Sequence, residues 1–175
     1  SSCVTKLNDP VKRLKKSRIG KKFIDGKGAQ RVYKSLVSYI GGAAKHISLR
    51  RVNFSDCRDL YEWRNHPEVR KWSFNTGRIS YKQHCKWFSA KLRDKKAVIY
   101  IAHDFERQKI GQVSFKIDSA GKAKIGVNLN PSCFGRGLGN KIIKAGSEDF
   151  LKANPSVKMI SAEVVDGNAA SRKAF

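Results

Sequence analysis

The stretch Phe134-Gly135-Arg136-Gly137-Leu138-Gly139-Asn140 decides the fold. It joins a strand-like run, Ala123 to Leu129, to a run of helical periodicity from Leu138 to about Lys152. Glycines at such a junction let successive backbone N–H groups point into one concavity. The start of the helix adds a partial positive charge there. A pyrophosphate can be held on such a turn by main chain alone. Arg136 and Lys141 stand where they could add ionic contacts, and Gly139 is expected to let the helix approach its neighbours closely. Two other glycine-loop chemistries fail on context. A dinucleotide site needs GxGxxG after the first strand of a βαβ unit, and a P-loop needs GK[ST], which Asn140-Lys141-Ile142 does not supply.

Outward from this turn the elements fall into a consistent order. Upstream are three strands, Ala97 to Ala102, Lys109 to Ile117 and Ala123 to Leu129, joined by hairpin loops at Asp104-Phe105-Glu106-Arg107 and Asp118-Ser119-Ala120-Gly121. Before them, Ser80 opens a helix with Cys85, Trp87, Phe88 and Leu92 expected on one side. Asn65-His66-Pro67 interrupts an earlier helix that Ser55-Asp56 caps and that runs through Leu60, Tyr61 and Trp63. The alternation Ile47-Ser48-Leu49-Arg50-Arg51-Val52 reads as a first strand. Downstream of the long helix, Lys158 to Val165 reads as a strand, and Asp166-Gly167-Asn168 leads into a terminal helix. The order β-α-α-β-β-β-α-β-α predicts a mixed α/β sheet flanked by helices.

Two segments are expected: a basic helical remnant with linker over 1–45, containing a helix from about Ala29 to Ile40, and a globular domain over 46–175. Absence of an initial Met and an end inside a helix suggest a piece of a longer protein. The net charge is +23. Residues 1–46 hold twelve Lys/Arg against two Asp/Glu, and residues 47–175 hold twenty-five against twelve, so the excess is spread along the chain. Such a field draws polyanions, coenzyme A, nucleotide-sugars and RNA alike, without choosing among them. The four cysteines, Cys3, Cys57, Cys85 and Cys133, form no CxxC pair and no zinc-ligand spacing with histidine, so reduced thiols in a cytoplasmic protein and no metal are expected. No apolar run is long enough to span a membrane.

The strand Ile125-Gly126-Val127-Asn128-Leu129-Asn130-Pro131, the turn Gly135 to Gly139 and the helix after it resemble the acetyl-CoA motif of the GNAT N-acetyltransferase superfamily. Met159 to Val165 with Asn168-Ala169-Ala170-Ser171 resembles its next motif, so the likeness covers about 47–175. Tyr61-Glu62-Trp63-Arg64-Asn65, Glu68-Val69-Arg70 and Tyr81 to Phe88 resemble one subgroup, the acetyltransferases of UDP-4-amino-4,6-dideoxy sugars in pseudaminic acid synthesis. Phe23 to Gly28 with Arg31 resembles the C-terminal end of that pathway's UDP-sugar hydrolase. Phe134 stands where the family carries Arg or Gln, and Phe175 falls where many members place a proton-donating Tyr. The closing strands of the family's fold would follow residue 175.

The resemblance implies an acetyl-CoA cosubstrate, a small-molecule amine acceptor such as a UDP-amino sugar, and direct attack of the amine on the thioester. Acetyl-CoA is expected on Val127 and Leu129, on the loop from Phe134 through Asn140, and on Asn168 and Ser171, with Leu129 N–H polarising the carbonyl. Glu163 in an apolar strand, where burial would raise its pKa, is the first candidate base, and an exposed carboxylate the alternative. His84 is the second, or a substrate contact. Asn168 could bind pantetheine, cap its helix, or do both. Arg64 and Arg70 are candidates for the acceptor's phosphates, and Trp87 with Phe115 for an apolar wall. Two other readings stay open: acetylation of ribosomal-protein N-termini and a non-catalytic RNA-binding shell. The chain lacks aromatic–basic interleaving on its strands, so nucleic acid is not the expected partner. A homodimer is left open.

Overall fold

A computed structural model describes residues 47–175. The basic remnant, its helix, the hydrolase-like segment and Cys3 lie outside the described residues. The elements are β1 (Ser48–Arg51), a 3-10 turn (Phe54–Asp56), α1 (Cys57–Asn65), α2 (Pro67–Lys71), α3 (Tyr81–Arg93), β2 (Ala97–His103), β3 (Lys109–Ile117), β4 (Lys122–Leu129), a second 3-10 turn (Pro131–Cys133), α4 (Leu138–Ala153), β5 (Met159–Ala162) and α5 (Ala169–Ala174). One helix more than expected is present: Pro67 does not simply break the chain but opens α2 at its first position, where its missing N–H costs nothing.

The five strands lie in the order β1-β2-β3-β4-β5. The first three pairings are antiparallel and β4–β5 is parallel. Side chains alternate across a strand, so each strand feeds both faces. On one face Val98, Tyr100, Val113, Phe115 and Ile125 pack against Leu138, Ile142 and Phe150 of α4. Phe115 and Phe150 stack at 4.1 Å. On the other, Ile101 packs with Leu60, Trp63 and Phe88 of α1 and α3. β2 is buried on both sides, which explains its unbroken apolar run Ala97 to Ala102.

Helix α4 lies close on β3 at Gly146, where an added Cβ would stand 2.5 Å from Val113 Cγ1. Gly139 is not the point of close approach, since its Cβ would sit at an ordinary 3.5 Å from Ala174 Cβ. Helix α1 is tied to the sheet by charge. The fully buried Asp56 receives both Arg50 guanidinium nitrogens, at 2.7 and 2.6 Å, the Asn53 N–H at 3.0 Å, and Lys109 Nζ at 2.8 Å. Asn53, rather than Ser55, supplies the first cap. Asn65 clamps the entry to α3 by donating to Ile79 O and accepting from Ile79 N, both at 3.0 Å. Ser80 and Gln83 then form a reciprocal capping box. Helix α3 buries His84 and Phe88, whereas Trp87 and Leu92 are exposed, so its inward stripe is narrower than the apolar spacing suggested.

Candidate active site

The parallel pairing of β4 with β5 stops at Ile125 opposite Ala162, although β4 runs on to Leu129. Asn130 N–H bonds Ile110 O, and Asp118 N–H bonds Lys122 O. With this register, even-numbered β4 residues turn their main-chain polar groups towards β3, and odd-numbered ones turn theirs the other way. The N–H and C=O of Val127 and Leu129 therefore face a wedge that β5 has left. Partly buried main-chain groups left open in this way can be satisfied by a ligand that supplies hydrogen bonds.

The Gly-rich turn follows. Gly135 and Gly137 have φ +72° and +66°, in the left-handed region, and Gly137 is the residue before α4. Added Cβ atoms there would meet nothing within 4 Å, so glycine serves backbone conformation rather than space. Among the described residues, the N–H groups of Gly135 through Asn140 find no acceptor, and the loop from Phe134 to Gly137 is exposed. These donors, at the start of a 16-residue helix, fit a pyrophosphate. Arg136 folds back, with Nη1 3.7 Å from Cys133 Sγ, and Phe134 sets its ring edge-on to His66 at 6.0 Å. Asn140 reaches the end of α5, donating to Ala174 O at 3.2 Å. Asn168 caps α5, its Oδ1 accepting from Ser171 N at 3.0 Å, so of its two expected roles the cap is the one the structure displays.

Residues 46–175 match the family model for the acetyltransferase (GNAT) domain. The chain belongs to the GNAT acetyltransferase family. Solved structures share the fold. The spermidine N-acetyltransferase of Vibrio cholerae, crystallised with CoA and spermine, is 17% identical at TM-score 0.66, covering 73% of this chain and 76% of that one. The aminoglycoside acetyltransferase AAC(6')-Ib, solved with coenzyme A, is 22% identical at TM-score 0.64, covering 74% and 80%. A domain from Methanocaldococcus jannaschii is 21% identical at TM-score 0.65, covering 74% and 84%. No curated protein matches. The GNAT domain here is an acetyl-CoA-dependent N-acetyltransferase with an α/β, mostly antiparallel sheet flanked by helices. No described helix is long and apolar enough to cross a membrane.

The face of the sheet opposite α4 carries a second feature. Under α3 lies a cavity of about 420 Å³ lined by Leu60, Arg64, Asn75, Ile79, Gln83, His84, Trp87, Gln112 and Asn128. A smaller one, about 210 Å³, shares Trp87 and Gln112 with it and adds Lys91, Lys116 and Lys124. His84 is 2% exposed, beside the rings of Tyr61, Trp87 and Phe88, and its Nε2 has no partner among the described residues. Burial lowers its pKa below the usual 6.5; the Cys57 backbone opposes this and the Arg64 charge adds to it. A neutral imidazole able to accept a proton results. Arg64 gives one nitrogen to Asn75 O and Arg70 one to Thr76 O, while Arg64 Nη1 and Arg70 Nε are buried without partners among the described residues. Burial, and then the neighbouring Arg70 charge, lowers the Arg64 pKa.

Two expectations need correction. Strand β5 ends at Ala162, so Glu163 is not buried in an apolar strand: its side chain is 59% exposed and pairs with Lys124. The argument that burial makes it a base loses its premise. Phe115 is 1% exposed and its ring stacks on Phe150 on the α4 side, so although it borders the smaller cavity together with Trp87, its ring belongs to the core, whereas Trp87 is 45% exposed. Gln112, Asn128 and Asn75 were missed. The first was legible as the start of a polar stripe, Gln112-Ser114-Lys116, alternating with Val113 and Phe115 in a strand that otherwise reads as core.

Proposed function

We propose that the acceptor is an amine on a molecule that also carries negative charge, the 4-amino group of a UDP-linked amino-deoxy sugar. The observation that carries this reading is the sign of the walls. The cations lining the two cavities are Arg64, Lys91, Lys116 and Lys124, and no carboxylate lines them, although Lys116 pairs with Asp94 and Lys124 with Glu163 beyond the lining. A polycation brought here would meet the Arg64 and Lys91 charges, whereas a diphosphate offers a partner to Arg64 Nη1 in the larger cavity and to Arg70 Nε outside the lining, both buried without a partner among the described residues. Trp87 presents an exposed indole suited to a uracil or a 6-deoxy methyl group. The resemblance of Tyr61 to Asn65 and of Tyr81 to Phe88 to the sugar-nucleotide subgroup points the same way.

Acetyl-CoA supplies the thioester. Val127 and Leu129 main chain would hold its arm, the N–H groups of Gly135 through Asn140 its pyrophosphate, and the Leu129 N–H its carbonyl oxygen. His84 takes the amine proton through Nε2, in preference to Glu163. The C–N bond forms as the C–S bond breaks, and the thiolate takes a proton to leave as CoA. The test is an acetylation panel of a UDP-linked 4-amino sugar, a free amino sugar, spermidine and a basic N-terminal peptide. The UDP-sugar should have the highest kcat/KM. A preference for spermidine or the peptide would overturn the reading.

A further inference from the structure

We propose that Gln112 is the acceptor-reading residue of the transfer step: its side-chain Oε1 accepts an N–H from the attacking amine. This rests on the reading that the cavity under α3 holds the acceptor, but not on the acceptor being a nucleotide-sugar. Gln112 Oε1 is buried and has no hydrogen-bond partner among the described residues. The other polar side chains of β3 on this face are engaged. Ser114 Oγ donates to Gly126 O at 3.2 Å, and Lys116 pairs with Asp94. A buried carbonyl oxygen left open beside a cavity needs a donor, and the cavity is where one can come from.

Its place in the sheet fits the chemistry. Gln112 is paired across the ladder with Asn128, which sits between Val127 and Leu129, the residues whose main-chain edge faces the β4–β5 wedge. Adjacent strands lie about 4.8 Å apart, so Gln112 stands one strand from the edge that holds the thioester. Gln112 also lines both cavities, as does Trp87. The other buried, unpartnered atoms on this wall have different tasks. Arg64 Nη1 can only donate, and His84 Nε2, as base, takes the proton that leaves. An amine brings N–H donors, and Gln112 Oε1 is a fixed acceptor for one of them. With one N–H on Gln112 and another proton passing to His84, the nitrogen lone pair is left for the carbonyl carbon. A neutral amide does this without stabilising the ammonium form, as a carboxylate would.

The experiment compares Gln112→Met and Gln112→Glu with the parent protein, using whichever amine of the panel above the parent acetylates best. It measures kcat/KM for that amine against pH, calorimetric affinity of the amine for the CoA-bound protein, and calorimetric affinity for acetyl-CoA. Gln112→Met should lose about 10- to 100-fold in kcat/KM and bind the amine more weakly, as expected for one removed polar contact, with acetyl-CoA affinity within about twofold. Gln112→Glu should recover amine affinity, while its rate profile moves to higher pH because the carboxylate holds the amine protonated. Full activity of Gln112→Met overturns the inference. So does a loss that acetyl-CoA affinity shares, because it marks a general disturbance, and so does a Gln112→Glu profile with unmoved pH dependence. A parent that prefers spermidine overturns the anionic-acceptor reading alone. A parent that acetylates no amine overturns both.

Discussion

A carboxylate placed at Gly137 separates the electrostatic role of the Gly-rich turn from its conformational one. Gly137 has φ +66° and precedes α4, and a Cβ there meets nothing within 4 Å. Any side chain fits, but an L-residue in this conformation costs about 1–2 kcal/mol of backbone strain. Gly137→Gln and Gly137→Glu share that strain, nearly the same volume and the same exposure, so the difference between them is charge. At a separation of about 6 Å, two unit charges repel by about 0.7 kcal/mol in water and about 2.8 kcal/mol at an effective dielectric of about 20. The turn is exposed, which places the value towards the lower end for each phosphate charge, and a pyrophosphate carries two. Gly137→Glu should therefore bind acetyl-CoA about 10- to 100-fold more weakly than Gly137→Gln, since about 1.4 kcal/mol is a factor of ten. Calorimetric titration at low and high salt reads this directly, and the gap should narrow as salt rises. Equal affinity of the two variants at low salt would refute the assignment of the pyrophosphate to this turn.

Three other outcomes follow from the geometry. His84→Gln should lower kcat by about 100- to 10,000-fold, the usual contribution of a general base; in the parent, whose His84 pKa lies below 6.5, kcat/KM should fall only as pH drops through that lowered value, and an unchanged acid limb in the variant would remove His84 from the role. Asp56→Asn breaks a buried carboxylate from Arg50 and Lys109 and should cost about 3–5 kcal/mol at neutral pH in chemical denaturation. Burial alone would raise the Asp56 pKa, but the bonds from Arg50, the Asn53 N–H and Lys109 outweigh it and hold it below the carboxylate range. Its stabilisation is thus present above the unfolded pKa, near 4, and lost as pH falls below it, so the stability gap between parent and Asp56→Asn should shrink in acid. Gly146→Ala gains about 1 kcal/mol of helix propensity but puts a methyl 2.5 Å from Val113 Cγ1, an overpacking worth about 1–3 kcal/mol, so net destabilisation is expected; adding Val113→Ala should recover part of it, and strict additivity of the two changes would show that the helix shifts instead.

The parts of the fold legible in the sequence are those fixed by local chemistry. Strand β3 was bounded at Lys109 and Ile117 by alternation and by turn residues, and α4 began at Leu138 because the glycines before it end the preceding strand. Ser80, which the structure shows in a capping box with Gln83, likewise marked the start of α3. What was not legible depends on partners distant in sequence. Strand β5 ends at Ala162 because its neighbour β4 diverges, and nothing in Glu163-Val164-Val165 announces that. Phe115 and Trp87 are both aromatic residues in amphipathic elements; only the packing of α4 on one face and α3 on the other sends Phe115 into the core and leaves Trp87 at the cavity. Asn65 gave no signal beyond interrupting a helix, yet its two bonds to Ile79 set where α3 enters and so where His84 stands.

Under the proposed reading, the strand geometry lets one narrow sheet serve two substrates. In a β-strand, main-chain polar groups lie in the plane of the sheet and side chains stand perpendicular to it. In β4 the odd residues Val127 and Leu129 turn their main chain to the β4–β5 wedge and their side chains to the α4 core, where both are partly buried. The even residue Asn128 turns its main chain to β3, and it lines the cavity under α3. The proposed cosubstrate edge and the proposed acceptor wall are thus alternate residues of the same four-residue segment, 126–129, at right angles to each other. A substitution on the acceptor wall at Gln112 or Asn128 leaves the main-chain edge intact, which is why acceptor affinity and acetyl-CoA affinity should respond independently there. A change that alters the register of β4, such as a proline at Val127, should destroy both at once.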